Sequence, residues 1–413
     1  MATRVYIEAA GCDRRRLDAE SIGAYLLAND YELVDDPLSA DKILAVVCAF
    51  KAKEEDESVK RLRSLRAYGR EILVYGCLAD IAADRYEEFS DLPSVAPRDL
   101  ASIDSYFADI QTPFSQIAEA NIIALHGSRL VRARRRLEAG LIPWQETADR
   151  LRSLRFGLRS RTSEPRGDVF NLFISRGCLG ACTYCAIRLA IGSLLSKPAD
   201  EIVSELREGL SEGYRSFHIL GDDPGCWGLD ATSTLPELLS LLFAETVALD
   251  PACAAPANGT RPVRFDIREI HPKYLIRYGE EIAALPGPSL LGGILCPAQS
   301  GSDRVLELMK RQHTSAELLD TLRRLKDALP GLRLDTQIIV GFPTETEEDF
   351  QRTLDFVREA RFDSVVVFPY DDKHGTEASK LAEKIPQSVI DRRVRAAFRA
   401  FRRARIRAFY SCP

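Results

Sequence analysis

Three cysteines within eight residues form the pattern in this sequence that is most able to do chemistry. They are Cys178, Cys182 and Cys185, called the loop cysteines below. They follow the strand-like segment 168–175, and Gly177 and Gly180 allow the backbone to turn tightly around them. Three thiolates this close together can wrap one metal cluster while leaving one iron without a protein ligand. A structural zinc site normally has a fourth cysteine or histidine close by, and the next one here is His218, so the spacing favours an iron–sulfur cluster over zinc.

Three other cysteines each follow a predicted strand in the first third of the chain. They are Cys12, Cys48 and Cys77, called the N-terminal cysteines below. The segments 3–8, 43–47 and 71–75 are short and apolar, and helical patterns follow the first two at about 17–27 and 54–68. Parallel strands bring their carboxyl ends to one edge of a sheet, where ligands bind. Three thiols at that edge suit a second iron–sulfur cluster with an open position or, less readily, zinc.

From residue 199 onward, the sequence alternates between helical and strand-like segments. Repeated βα units predict a parallel barrel or partial barrel, with the loop cysteines at the carboxyl face where barrel enzymes place their chemistry. The predicted strands are 215–220, 263–270, 291–296, 333–340 and 362–368, and the predicted helices are 199–212, 303–311, 315–328 and 346–359.

The composition is that of a globular protein with two or three domains. Of the 413 residues, 46% are apolar and 28% are charged, and no stretch approaches the roughly 18 uncharged apolar residues of a membrane span. We expect a cytoplasmic protein with no membrane association, in which ten cysteines are unlikely to form a disulfide framework. The net charge of −5 does not suggest a general nucleic-acid coat.

Arginine is concentrated in two stretches of the chain. Residues 129–166 contain eleven arginines and four acidic residues, and residues 391–410, a predicted helix, contain eight arginines and one acidic residue. Each stretch is either a solvated helical face or a surface that binds phosphate groups or acidic substrates. The sequence alone leaves both interpretations open.

Five motifs resemble those of the radical S-adenosylmethionine (SAM) methylthiotransferases. That family includes enzymes that modify a tRNA adenosine beside the anticodon and one that modifies an aspartate of a ribosomal protein. The resemblance spans residues 3–395, and all six cysteines described above match the family's cluster ligands. The motifs are GCLGACTYC (177–185), LGDDPGCWGLD (220–230), PAQSGSDRVLELMKRQHT (297–314), IIVGFPTETEEDFQRTLDF (338–356) and FPYDDKHGTEAS (368–379).

The resemblance implies an α/β protein in which an N-terminal parallel-sheet domain precedes a partial (βα)6-type radical SAM barrel. We expect the N-terminal domain at 1–110, an Arg-rich linker at 111–165, the barrel at 166–380 and a basic C-terminal helix and tail at 381–413. Family members end in a small β-barrel that binds RNA or the protein substrate, and this sequence is expected to lack it.

The sequence also departs from the family's pattern inside the matched region. Such departures near the cysteines suggest a substrate other than the familiar ones. The replaced positions are Val46 and Val47, where the family has Asn-Thr; Thr344, where it has Gly; and Arg188 and Ile191, where it has Pro and Arg.

The resemblance implies two 4Fe–4S clusters and SAM as cofactors. The cluster on the loop cysteines would reductively cleave SAM, and the resulting 5′-deoxyadenosyl radical would remove hydrogen from an unactivated C–H bond of the substrate. The cluster on the N-terminal cysteines would carry the sulfur or methylsulfide that the substrate radical attacks. The implied partners are a reductant, such as flavodoxin or ferredoxin, and a sulfur donor.

The resemblance also implies which residues contact SAM. Tyr184 would lie against the cofactor, and Asp222 and Asp223 would hold its amino group. The remaining predicted contacts are adenine contacts from Ile339 and Gly341 and ribose or carboxylate contacts from Arg268, Gln299 and Ser300.

The substrate is the least determined part of the prediction. We expect methylthiolation of a peptide or protein side chain, with a ribosomally made natural-product precursor as the leading candidate. The alternatives are a tRNA adenosine, bound through phosphate contacts to the Arg-rich stretches; a radical SAM enzyme with one cluster and a degenerate N-terminal domain; and an iron–sulfur sensor or scaffold that is not an enzyme.

The two-cluster hypothesis predicts the iron content of cysteine variants. Anaerobically reconstituted protein should hold about eight irons, because each 4Fe–4S cluster contributes four. Cys178→Ala should halve the iron and abolish 5′-deoxyadenosine formation, whereas Cys48→Ala should halve the iron but leave uncoupled SAM cleavage. Iron analysis and chromatography of 5′-deoxyadenosine measure both. Full activity without the N-terminal cysteines would reduce the protein to a one-cluster enzyme.

Overall fold

A computed structural model describes residues 2–123, 169–253 and 261–410 of the chain. The chain forms two compact units. The first contains the N-terminal residues together with the short segments 186–192 and 373–375, and the second contains the rest. The Arg-rich stretch 129–166 lies outside the described residues, as does most of the predicted linker.

The first unit is built on a parallel sheet with strand order β2-β1-β3-β4-β5. The strands are β1 (Arg4–Ala9), β2 (Glu32–Val34), β3 (Lys42–Val47), β4 (Glu71–Gly76) and β5 (Ser94–Val95), and the helices are α1 (Asp13–Ala28), α2 (Ala52–Arg66), α3 (Leu78–Ile81), α4 (Ala83–Tyr86) and α5 (Arg188–Ile191).

The central strand β3 is apolar from Ile43 to Val47 because both of its faces are covered. Ile43 and Val47 point into a core that also contains Leu62 of α2, whereas Leu44 points into a core that contains Tyr25 of α1. Alternate residues of a strand face opposite sides of a sheet, so helices on both sides bury the whole strand. This layering confirms the predicted N-terminal parallel α/β fold.

The second unit is built on a sheet with strand order β13-β12-β11-β10-β9-β8-β6-β7. Its strands are β6 (Val169–Arg176), β7 (Leu195–Ser196), β8 (Ser216–Gly221), β9 (Arg264–Ile267), β10 (Leu291–Leu295), β11 (Arg333–Val340), β12 (Ser364–Pro369) and β13 (Arg407–Tyr410). Its helices are α6 (Ala199–Ser211), α7 (Leu235–Leu249), α8 (Pro272–Ala283), α9 (Asp303–Leu308), α10 (Ser315–Ala328), α11 (Glu347–Glu359) and α12 (Gln387–Arg403).

Six strands of this sheet are parallel and lie side by side in the order in which they occur in the chain. They are β6, β8, β9, β10, β11 and β12. This arrangement confirms the predicted partial (βα)6 barrel. The edge strand β7 pairs with β6 in antiparallel fashion, and β13 adds a parallel strand beside β12. In the described ranges, no helix is long and apolar enough to cross a membrane.

The end of the chain differs from the predicted helix 391–410. Helix α12 begins earlier, at Gln387, and ends at Arg403. Arg405 then adopts a left-handed backbone conformation with φ of +60°, which stops the helix. The residues after it pair with β12 as strand β13, because Ala408 and Phe409 suit a half-buried strand. Helices α7 and α8 were also absent from the sequence-based prediction.

A buried ion pair joins helix α12 to the loop after β11. Arg393 donates to the carboxylate of Glu345 at 2.7 Å, and their side chains are 6% and 1% exposed. The same carboxylate accepts the Gly341 amide at 2.8 Å. Burial raises the pKa of Glu345 to about 7, against the opposing effects of the Gly341 amide and Arg393. The pair therefore holds α12 against the residues that follow β11.

Breaking this pair should destabilise the protein more than removing a neighbouring surface arginine. Arg393→Met leaves Glu345 buried without its cation, which should lower the free energy of unfolding by about 3–5 kcal/mol at about pH 9, well above the Glu345 pKa of about 7, where the carboxylate is ionised. Denaturant unfolding measures the change, with Arg392→Met as the exposed control.

Adding Glu345→Gln to Arg393→Met should restore most of the stability, because the uncompensated charge is then gone. The penalty of Arg393→Met should also shrink at about pH 5, since Glu345 is protonated below its raised pKa of about 7. Equal losses for Arg393→Met and Arg392→Met would contradict the assignment.

Candidate metal and cofactor site

The loop cysteines follow the carboxyl end of β6, as the sequence predicts. Gly177 begins the loop with φ of +76°, and a Cβ atom there would lie 2.0 Å from the carbonyl oxygen of Ser193. Only glycine fits this position, because both the conformation and the space exclude a side chain. The Gly177 amide donates to Asp222 at 2.8 Å, which ties the loop to the end of β8.

The space between the loop thiols fits a cluster held by cysteine sulfur. The Gly180 amide donates to Cys178 Sγ at 3.1 Å. A Cβ atom on Gly180 would lie 3.2 Å from that sulfur and 3.8 Å from Cys182 Sγ, so a side chain would fill the space between the two thiols. Electrostatic effects of Cys182 and Cys185 both act on Cys178, which indicates that the three thiols are gathered together.

Burial strongly disfavours a free thiolate at Cys178. It raises the pKa of Cys178 to about 12, and the nearby Asp223 carboxylate adds to the shift. Metal binding would deprotonate such a thiol outright. The described residues contain no group of three or more His, Cys, Asp or Glu side chains arranged to hold a single metal ion.

Asp223 lies against the loop cysteines and is almost fully buried. Its Oδ2 atom is 4.0 Å from Cys178 Sγ, and its Oδ1 atom accepts the backbone amides of Gly225 and His271 at 3.1 Å. Burial raises the pKa of Asp223 to about 6, so the group is mostly ionised at neutral pH. An ionised carboxylate beside a metal-binding thiol is able to bind an ammonium group of a ligand.

Two side chains beside Cys182 were not singled out by the sequence analysis. Arg311 Nη1 lies 3.3 Å from Cys182 Sγ and 3.2 Å from the Tyr184 hydroxyl, and His271 Nε2 lies 3.8 Å from the same sulfur. Burial lowers the pKa of His271, which keeps its ring neutral. Arg311 lies in the matched motif MKRQHT, but it is so far from the cysteines in the sequence that its contact with Cys182 could not be predicted.

The predicted residue Gln299 has an unusual backbone and a buried polar atom. Its φ of +68° is uncommon for a residue other than glycine, and its backbone forms a parallel bridge to Ile338 of β11. Its Oε1 atom is buried and has no hydrogen-bond partner in the described part of the chain. A buried acceptor of this kind is costly unless a ligand satisfies it.

Ser300 is placed differently from Gln299. Its hydroxyl lies 3.1 Å from the Thr353 hydroxyl and accepts the Ser302 amide at 3.1 Å. The Gly301 amide also donates to Thr353, so Ser300 helps join this loop to α11. These contacts give Ser300 a structural role in the protein alone, and its predicted cofactor contact stays a prediction.

Tyr184 and Ile339 lie in one apolar cluster at the carboxyl ends of the strands, together with Phe342. Such a cluster is suited to an adenine ring. Gly341 follows with φ of +85°, and a Cβ atom there would lie 2.4 Å from Ile390 of α12. Arg268 lies at the end of β9, where its amide donates to the carbonyl of Ile219.

Thr344 keeps the backbone of the glycine that it replaces. Its φ is +69°, which is strained for a β-branched residue. Arg304 donates to its hydroxyl at 3.2 Å and to its carbonyl at 2.7 Å, and the Thr344 amide donates to Glu383. These bonds hold the strained residue in place.

In the first unit, the N-terminal cysteines follow three adjacent parallel strands. Cys48 and Cys77 come directly after β3 and β4, whose last residues Val47 and Gly76 are register partners. A Cβ atom on Gly11 would lie 3.2 Å from Cys48 Cβ, which brings the Cys12 loop beside Cys48. Burial and the nearby Cys12 raise the pKa of Cys48 to about 11. The sheet therefore gathers three thiols of which two are buried.

A buried polar network lies beneath these thiols. Arg15 lies 3.0 Å from Asp18 and donates to the Tyr75 hydroxyl at 2.9 Å, while Tyr75 donates to Asp18 at 2.6 Å. Arg15 interacts electrostatically with both Cys12 and Cys77. Its charge is balanced by Asp18, so the network supports the cysteine loops without leaving an unpaired ion.

Two family models match the parts of the chain that contain the loop cysteines and the N-terminal cysteines. The radical SAM superfamily matches residues 172–357, and the uncharacterized protein family UPF0004 matches residues 4–95. A probable threonylcarbamoyladenosine tRNA methylthiotransferase of Pyrococcus horikoshii is 30% identical over 397 residues, covering 96% of this chain and 83% of that protein. The ribosomal protein uS12 methylthiotransferase RimO of an Anaeromyxobacter species is 30% identical over 406 residues, covering 94% of this chain and 75% of that protein.

Among solved structures, the radical SAM methyltransferase TsrM from Kitasatospora setae has a TM-score of 0.58 at 14% identity, over 92% of this chain and 77% of that chain. This likeness concerns the fold alone. Membership of the radical SAM superfamily implies SAM and one 4Fe–4S cluster as cofactors. The sequence identities and their coverage confirm the resemblance that the motifs indicate: the chain belongs to the methylthiotransferase family of radical SAM enzymes.

Proposed function

We propose that this chain is a methylthiotransferase that replaces hydrogen with a methylthio group, or bare sulfur, at an unactivated C–H bond. The observation that carries the proposal is the contrast between the two cysteine sites. One is a tight loop beside the buried carboxylate of Asp223, and the other lies over a charge-balanced network. The first suits cleavage of a charged cofactor, and the second suits a cluster that stores the group to be transferred.

The loop cysteines would hold the 4Fe–4S cluster that works with SAM. When bound there, the cluster and SAM would together supply a carbon radical able to remove hydrogen from the substrate. The Gly180 and Arg311 donors would hold the cysteine sulfurs in place. The apolar cluster of Tyr184, Ile339 and Phe342 would exclude water from the cofactor's adenine.

Charge complementarity supports the orientation of SAM. Asp223, beside Cys178, would accept the amino group of the cofactor, and Asp222 would fix the loop on which Cys178 stands. Gln299 would accept a ribose hydroxyl at its unpartnered oxygen. The Gly341 backbone remains the proposed adenine contact, and Arg268 and Ser300 remain the proposed contacts to the carboxylate or ribose.

The N-terminal cysteines would hold the second 4Fe–4S cluster, which supplies the sulfur. The exposure of Cys12, in contrast to Cys48 and Cys77, would leave the open iron accessible. Repeated turnover would need an external one-electron donor, such as flavodoxin or ferredoxin, and a sulfur donor. These requirements suit a protein of the cytoplasm.

We propose a peptide or protein side chain as the substrate. The net charge of −5 gives no general affinity for RNA, and the RimO relative acts on a ribosomal protein. The departures from the family support this less than the sequence alone suggested. Val46 and Val47 are each 1% exposed, so they pack the sheet and do not face a substrate.

A tRNA adenosine is the second candidate substrate. The Pyrococcus relative is named for tRNA modification, and the end of the chain presents exposed arginines that suit phosphate groups. These are Arg392, Arg395, Arg399, Arg402, Arg403, Arg405 and Arg407.

The role of Gln299 gives a direct test of the cofactor site. Gln299→Leu removes the buried acceptor at nearly constant volume and should weaken SAM binding about tenfold, which is the value of one hydrogen bond of roughly 1.4 kcal/mol. Anaerobic calorimetry of the reconstituted protein measures the affinity. Gln312→Leu is the matched control, because Gln312 also has a positive φ of +57° but is exposed.

The control should bind SAM as the unaltered protein does, and both variants should unfold near the same temperature. Unchanged SAM affinity in Gln299→Leu would remove this residue from the cofactor site.

A competition experiment decides between the substrates. Bulk tRNA, ribosomal protein and candidate precursor peptides are offered together to the anaerobically reconstituted enzyme with reductant, sulfide and SAM. Mass spectrometry should find one methylthio group in place of hydrogen on a peptide or protein, with 5′-deoxyadenosine and S-adenosylhomocysteine formed in step. Modification of tRNA alone would overturn the peptide assignment and leave the reaction type intact.

A further inference from the structure

Arg311 differs from the other buried arginines in having no acidic partner. Three arginines are buried in the described part of the chain: Arg15, Arg311 and Arg393. Arg15 lies 3.0 Å from Asp18, and Arg393 lies 2.7 Å from Glu345. Among the residues described, no carboxylate oxygen lies within 4.0 Å of the Arg311 guanidinium.

The contacts of Arg311 are with neutral groups and one sulfur. Nη1 lies 3.3 Å from Cys182 Sγ and 3.2 Å from the Tyr184 hydroxyl, and Nη2 donates to the carbonyl of Pro297 at 2.6 Å. Its Nε atom is buried without a partner in the described ranges. Arg311 is 3% exposed, so water does not compensate for its charge.

An isolated buried cation is unfavourable unless an anion lies close to it. Arginine does not lose its proton inside proteins, so Arg311 cannot remove the cost by becoming neutral. Among the groups that contact Arg311, Cys182 is the one that becomes anionic when it binds metal. The environment of Arg311 is therefore complete only when the loop cysteines carry negative charge.

We propose that Arg311 supplies the positive charge that balances the cluster on the loop cysteines and favours its one-electron reduction. The inference rests on the proposed function, because it takes the loop cysteines as cluster ligands. A donor such as flavodoxin gives one electron to the cluster, no proton is transferred, and Arg311 stays protonated throughout. The added electron makes the cluster more negative, so a nearby fixed cation and an N–H donor to sulfur stabilise the reduced form more than the oxidised form.

Arg311 thus acts through Cys182 as a positioning residue with an electrostatic effect. Among the described residues beside the N-terminal cysteines, Asp18 already neutralises Arg15. At the loop site, by contrast, no described carboxylate lies within ion-pair distance of Arg311, and this is the site that would deliver an electron to SAM.

The test is a redox titration followed by the electron paramagnetic resonance of the reduced cluster. Full-length protein with Cys12, Cys48 and Cys77 replaced by Ala leaves one cluster to titrate. Into this background are introduced Arg311→Gln, which removes the charge, Arg311→Lys, which keeps it, and Lys310→Gln. Lys310 is the matched control, because it is the adjacent cation but pairs with Glu377 at the surface.

Arg311→Gln should disfavour reduction at least tenfold, which corresponds to a potential lower by 59 mV for one electron. Arg311→Lys should recover most of the shift, and Lys310→Gln should leave the potential unchanged. A cluster that assembles normally in Arg311→Gln with an unchanged potential would overturn the inference. If the background protein itself holds no 4Fe–4S cluster, the proposed function fails first, which distinguishes the two failures.

Thermal unfolding keeps the proposal testable if Arg311→Gln assembles poorly. Arg311→Met should raise the melting temperature of the cluster-free protein, because it removes a buried charge without an anion. The same substitution should reduce the stabilisation gained on loading the cluster. An equal loss of stability in the cluster-free and loaded forms would assign Arg311 a structural role only and refute the proposal.

Discussion

The parallel pairing of the strands is the constraint on which both cysteine sites depend. In the first unit, β1, β3 and β4 are neighbours with Ala9 opposite Val46 and Val47 opposite Gly76, so the next residues of each strand start loops at one edge. In the second unit, β6, β8 and β9 are neighbours in the same sense. A slip of one residue would move Val46 from the core on one face of the sheet to the core on the other, where its size and shape do not match the packing. The apolar core therefore fixes the register, and the register places the thiols.

The sequence could predict the cysteine sites because each is a local pattern attached to a recognisable strand. A thiol directly after an apolar run can be predicted to lie at the carboxyl edge of the sheet if the strand is parallel, as at Cys48. The contact between Arg311 and Cys182 could not be predicted in this way, because 129 residues separate them in the sequence. The two residues meet only when the strands of the second unit have assembled into the sheet. The contact between His271 and Cys182 could not be predicted for the same reason. The end of α12 was misplaced because arginine-rich residues with apolar spacing suit either a helix or the exposed edge strand β13.

In the loop after β11, a threonine occupies a left-handed backbone conformation that favours glycine. Thr344 retains φ of +69°, although a β-branched side chain makes that conformation costly. Arg304 on one side and the carbonyl of Glu383 on the other hold it there. Directly beyond it, the pair of Glu345 and Arg393 joins the loop to α12, and Ile390 packs against the bare backbone of Gly341. The helix is thus part of the wall behind the predicted adenine site.

Three of the buried polar atoms of the second unit that lack partners in the described residues lie on the carboxyl side of its strands. Gln299 Oε1 lies in the loop that follows β10, and Arg311 Nε and His313 Nε2 lie where the chain leaves α9. Each such atom costs free energy that a better-packed apolar residue would not. Selection for stability alone would remove them. Their presence on the side of the sheet that carries the loop cysteines follows if the protein folds to a state whose stability is completed by a polar, negatively charged group, which is what a thiolate-bound cluster with SAM would provide.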